Sequence, residues 1–173
     1  MKIKIFTITL SFIILLSPMI HSQTTAKNKF LVLGFLSKQI NDLEDRLLRE
    51  EIMREFVKSG NDIVSVMELE SAVYGENAPL KNIRYFNEKT AIYLTEKFSA
   101  QYAVFGKIFP KEKTANYIMA GQTYKCSLRI YSVEKKKFID ISFDFTGEKK
   151  FYDFAVNFSK KCVKEISEKI KEI

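Results

Sequence analysis

The sequence predicts a single α/β domain ordered β-α-β-α-β-β-β-α, an α+β mixture in which a mixed five-stranded sheet carries helices packed on its faces. Three observations predict it. Strand-like and helix-like segments alternate as far as Ile108, the pattern of a parallel βαβαβ core. Residues 116–145 then switch to a two-residue alternation with no helical period, which marks an antiparallel hairpin. The chain closes on a long segment whose apolar residues recur at helical spacing, a helix with one face to bury.

The first 22 residues stand outside this domain. A basic start, Met1-Lys2-Ile3-Lys4, leads into an apolar run from Ile5 to Leu16 that Ser17-Pro18 breaks, the layout of a secretory signal. The run is shorter than the roughly 20 residues a membrane-crossing helix needs. Ser22, with Ile20 two positions before it, suits a signal peptidase, so the expected mature start is Gln23 and the expected location is periplasmic or secreted. An uncleaved membrane tether is the alternative, and no cysteine lies near this point to accept a lipid. Cleavage also removes Lys2, Lys4 and His21, leaving 26 of the 28 basic residues against 21 acidic ones, a charge of about +5. Residues 23–173 are enough for one ordinary domain with a core of its own. Without an imidazole that domain cannot build a Ser-His-Asp or Cys-His nucleophilic centre, nor the commonest zinc and iron sites.

The elements follow in order. Phe30 to Leu36 is apolar apart from one glycine, which suits a central strand covered on both faces. Asn41 and Glu44 form a capping box, after which Leu43, Leu47, Ile52 and Phe56 recur at near-helical spacing until Ser59-Gly60 stops the pattern. Ile63 to Met67 reads as a second strand, parallel to the first because a helix leads to it. Leu69 to Tyr74 carries a short helical turn, and Gly75 to Pro79 a loop. Phe86, Thr90, Leu94 and Phe98 share one face of a helix from about Asn87 to Phe98, and Tyr102 to Ile108 is the third strand.

In the hairpin, pairing Ser132 with Lys137 across Val133-Glu134-Lys135-Lys136 sets Ile130 against Ile139, Leu128 against Ile141, Cys126 against Phe143 and Tyr124 against Phe145 on one face. The other face then pairs Arg129 with Asp140, Ser127 with Ser142 and Lys125 with Asp144. An apolar stack on one side and opposite charges on the other fix that register. The final helix lines up Phe151, Ala155, Phe158, Cys162, Ile166 and Ile170.

Candidate sites are few. Cys126 and Cys162 both point into the inner layer; they can pair in an oxidising compartment or stand as two separate buried thiols, because sequence fixes the face but not the distance. Asp140 and Asp144 share one strand face as a pair of carboxylates, yet the register gives each a basic neighbour, the arrangement of surface ion pairs. The lysine-rich stretches 107–113 and 135–137 fall at opposite ends of a meander and form no continuous patch for nucleic acid. Gly34 and Gly106 stand alone, without a phosphate-binding motif. No catalytic residue, metal ligand or cofactor is assigned.

The element order behind a signal peptide, the opening strand Phe30–Leu36, the passage from Thr90-Ala91 through Ala100-Gln101-Tyr102-Ala103-Val104-Phe105-Gly106-Lys107-Ile108, and Leu128 to Glu134 together resemble a known family. It is the anticodon-binding-like α/β domain of bacterial envelope proteins, the type found in the CsgG curli secretion protein, the amino-terminal domain of TolB and the lipoprotein activator of a penicillin-binding protein. Lys135-Lys136 stand where that family's hairpin carries Thr-Gly. The resemblance implies a non-catalytic module that docks onto other envelope proteins, such as a cell-wall synthase or a secretion or surface-organelle component. The absent lipid-accepting cysteine, membrane hairpins and propeller set pore formation and a Tol role apart from it. Two other functions fit the residues: a hydrolase working without histidine, and a surface-displayed protein binding host or matrix.

Overall fold

A computed structural model describes residues 27–74, 88–111 and 120–172. The expected signal peptide, the 75–79 loop, Phe86 and Lys113 lie outside them. The described chain forms a mixed five-stranded sheet with helices on both faces. Its elements are β1 (Lys29–Leu36), α1 (Asp42–Lys58), β2 (Asp62–Ile63), α2 (Val66–Tyr74), α3 (Glu88–Phe98), β3 (Tyr102–Pro110), β4 (Thr123–Ser132), β5 (Lys137–Thr146) and α4 (Phe151–Lys171). The strand order is β2-β1-β3-β4-β5; β1 runs parallel to β2 and β3, and β3, β4 and β5 form an antiparallel meander.

The hairpin register agrees residue by residue with the one the alternation predicts, from Ser132 opposite Lys137 to Tyr124 opposite Phe145. Only that register buries Ile130, Leu128, Cys126 and Tyr124 together with Ile139, Ile141 and Phe143. The inner face so formed is covered by α1 and α4. Phe30 stacks on Phe56 at 4.1 Å between ring centroids, and Phe158 of α4 packs edge-on against Phe35 and Phe145. The other face is covered over β1 and β3 by α3, through Ala91 and Leu94.

Two expectations are corrected. The second strand stops at Ile63, and Val66 and Met67 belong to α2. The cause is Ser65, whose hydroxyl accepts the Glu68 N–H at 3.2 Å while the Glu68 carboxylate accepts the Ser65 N–H at 2.9 Å. That reciprocal pair satisfies helix-start donors and outweighs the β preference of Ile63-Val64-Ser65-Val66. The inward face of α1 is also rotated from the predicted one. Leu43 and Leu47 are exposed, at 67% and 37%, and Asp45, Leu48, Arg49, Ile52, Met53 and Phe56 are buried.

The buried polar pair in α1 answers a defect in β1. Pairing of β1 with β3 slips between Val32 and Phe35, so that Val32 faces Val104 while Phe35 faces Gly106. The Asp45 carboxylate accepts the Phe35 N–H at 2.8 Å and the Arg49 Nε–H at 3.1 Å, and Glu70 of α2 lies 3.7 Å from the same guanidinium. Burial holds the Asp45 carboxyl above its ordinary pKa, with Arg49 and the Phe35 N–H pulling the other way.

Candidate interaction surface

On the face opposite α1 and α4, the half of the sheet built from β4 and β5 carries no helix among the described residues beyond the edge of α3. Alternation of the strands decides what lies on it: Lys125, Ser127 and Arg129 from β4, with Tyr131 buried at one end, and Phe138, Asp140, Ser142 and Asp144 from β5. Arg129 is its centre. Its Nε–H donates to Asp140 at 2.8 Å, its Nη1 to Glu88 of α3 at 2.5 Å, and its guanidinium carbon sits 5.5 Å from the centroid of the Phe138 ring. The hydrogen bond to Asp140 pushes its pKa further up, so it is a fixed cation. Phe138 in turn lies 4.9 Å from Tyr131 and 6.2 Å from Phe105. Phe109, on the same face of β3, is 41% exposed.

An arginine held by two carboxylates over a half-buried aromatic group is pre-ordered for contact, since its rotamers are restricted before a partner arrives. Arg and aromatic side chains are also the types that dominate binding energy at protein interfaces. Pairing read from the sequence ended at Arg129 and passed over Tyr131 and Phe138. The signal was present: these two aromatic residues are the next opposed pair on the polar face, where alternation alone calls for solvated side chains.

The predicted charge pairs divide. Arg129 meets Asp140 as expected, but Asp144, though opposite Lys125 in register, is bound by Lys111 Nζ at 2.5 Å. Lys111 follows β3 at the end of the sheet where β5 holds Asp144, and so reaches the carboxylate across β4. Lys135, Lys136 and Lys137 sit at the opposite end of the meander, beside the Val133 N–H bond to the Gln101 carbonyl. Cys126 and Cys162 are both fully buried on the inner layer, and both are free thiols in this structure. Burial pushes both thiols above their ordinary pKa, and for Cys126 the neighbouring Cys162 adds to it.

A groove of about 530 Å³ opens between the carboxyl-terminal ends of α1 and α4. Phe30, Val163 and Ile170 line it with apolar surface, and its carboxylates, Glu55 and Glu168, face Lys58 at 3.0 Å and Lys164 at 3.9 Å. Among the described residues no cluster of three or more His, Cys, Asp or Glu side chains has metal-binding geometry, and no helix is long and apolar enough to cross a membrane.

No family model matches the chain, and no curated protein matches it. Solved structures do. Lipoprotein GNA1162 from Neisseria meningitidis is similar with a TM-score of 0.52 at 10% identity, over 70% of this chain and 81% of that one. The LpoB C-terminal domain from Escherichia coli has a TM-score of 0.52 at 13% identity, over 72% of this chain and 86% of that one. Its counterpart from Salmonella enterica has a TM-score of 0.50 at 15% identity, over 72% and 87%. At such identities the likeness is one of fold alone, a fold shared with these bacterial envelope proteins.

Proposed function

We propose that this chain is an exported, non-catalytic docking module of the cell envelope, which binds another envelope protein through the face of β4 and β5 that no described helix covers beyond the edge of α3. The observation that carries this reading is the Arg129 cluster: a guanidinium held between Asp140 and Glu88 above Phe138, at the edge of α3 on a sheet face that no other described helix covers. A small domain gains stability by covering both faces of its sheet, so Phe138 left half-buried there beside Arg129 supports a surface kept for a partner. The secretory layout of residues 1–22 supports a site of action outside the cytosol, with cleavage after Ser22. A cell-wall synthase, or a secretion or surface-organelle component, is the class of partner the family resemblance supports.

The test is capture from envelope extracts of the producing cell with the immobilised 23–173 domain. The wild type is expected to retain a discrete partner, and the double variant Arg129→Ala/Phe138→Ala to lose it by about tenfold or more, with its far-ultraviolet dichroism unchanged. Recovery of no partner by the wild type, together with turnover of a small substrate, would overturn the reading in favour of an enzyme.

A further inference from the structure

The two edges of the sheet differ. On one side the edge strand is β2, only two residues long; on the other it is β5, ten residues long and paired along its whole length with β4. A long strand with unpaired backbone groups is a template for another strand, and proteins normally blunt such an edge. Here the blunting covers one end only. Lys161 of α4 donates from Nζ to the Asp144 carbonyl at 2.6 Å, which identifies the even-numbered residues of β5 as those whose N–H and C=O point away from β4. By the same alternation Phe138, Asp140 and Ser142 turn their N–H and C=O to the free edge, and no described residue bonds to them there.

We propose that this open stretch, Phe138 to Ser142, takes up an extended segment of a foreign protein whose outward-facing residues are basic. The inference rests on the docking reading above and names how the partner is held. Its chemistry follows from the side chains. Asp140 and Asp144 each spend one carboxylate oxygen, on Arg129 and Lys111 respectively, and no described residue takes the other. An added strand places alternate residues beside these carboxylates, where Lys or Arg completes cross-strand ion pairs, and the residues between them beside Ile139, Ile141 and Phe143, where apolar side chains extend the inner layer. A second copy of this chain does not meet those demands. Two β5 edges set together bring Asp140 and Asp144 of both copies onto one face, four carboxylates along one seam with no basic residue from the second strand between them.

The test uses three fluorescent nine-residue peptides and the 23–173 domain: alternating Val and Lys, alternating Val and Glu, and the Val/Lys peptide with alternate backbone nitrogens methylated. The Val/Lys peptide is expected to bind, with the other two weaker by about tenfold or more. Ser142→Pro, which removes an edge N–H that the β4 ladder does not use, is expected to abolish binding. Asp140→Lys/Asp144→Lys is expected to reverse the preference toward the Val/Glu peptide, and it keeps the test decisive if the proline variant fails to fold. Equal binding of all three peptides, or binding of none, overturns the proposal. So does a concentration-dependent dimer of the wild type that Ser142→Pro abolishes. If the peptides fail while capture of an envelope partner still depends on Arg129 and Phe138, strand addition is wrong and the docking face stands.

Discussion

Asp45 and Arg49 show how much one side chain can decide. Asp45 closes the N–H that the slip in β1 leaves free, and Arg49 compensates its charge in a buried site. Removing one member of such a pair strands the other, so Asp45→Ala is expected to cost about 3 kcal/mol in urea unfolding at neutral pH. The pH dependence has a definite sign. The native carboxyl has a raised pKa, so the native state binds this proton more tightly than the unfolded chain does. That contribution is full below the ordinary carboxylate value and is lost as pH rises through the raised native one. The difference in unfolding free energy, wild type minus Asp45→Asn, is therefore expected to shrink from pH 4 to pH 7; a difference that grows would contradict the assignment. The two thiols give a second expectation at this scale. Buried with raised pKa values, Cys126 and Cys162 should react with a thiol reagent only on unfolding, whereas a mass 2 Da below the reduced chain in exported protein would show the bond formed instead. The buried ion pair was legible in principle: positions 45, 48, 49, 52, 53 and 56 hold a better helical period than 43, 47, 52 and 56. Apolar periodicity alone passes over it, because two of those six positions, Asp45 and Arg49, carry charge.

At the scale of elements, segments with a single self-consistent pattern were readable and those with competing signals were not. The hairpin belongs to the first kind, since a slip by one residue would bury Arg129, Asp140 and Asp144 and expose Leu128, Ile130 and Ile141. The start of α2 belongs to the second. Branched Ile63, Val64 and Val66 argue for a strand, and one cap at Ser65 ends it. Ser65→Ala is expected to lower the unfolding free energy by about 1 kcal/mol. Gly106 is a stronger test of sheet geometry. A Cβ there would lie 2.8 Å from both the Leu128 Cδ2 and the Ser127 carbonyl oxygen, and the second is backbone that cannot turn aside. Gly106→Ala is therefore expected to destabilise by about 1–3 kcal/mol and to reduce amide protection in β3 and β4.

The whole molecule is asymmetric in how it covers its sheet. Helices α1 and α4 cover one face, with Phe35, Phe143, Phe145, Phe154 and Phe158 in one aromatic cluster between α4 and the sheet, while the other face is closed over β1 and β3 and, among the described residues, open over β4 and β5 beyond the edge of α3. This division was only half legible. Apolar periodicity reports what the chain buries against itself, so it predicted the enclosed layer well; surface kept for another molecule carries no such period, and the Arg129 cluster emerged only when β4, β5 and α3 were brought together. Docking through that open face is open to direct observation by site-specific photocrosslinking in the producing cell. A photoreactive phenylalanine analogue at Ser127 or Ser142, on the open face, is expected to give one discrete adduct with another protein, and the same group at Arg54 or Lys160, on the helices, to give none. Adducts from the helix positions alone, with Ser127 and Ser142 silent, would contradict it.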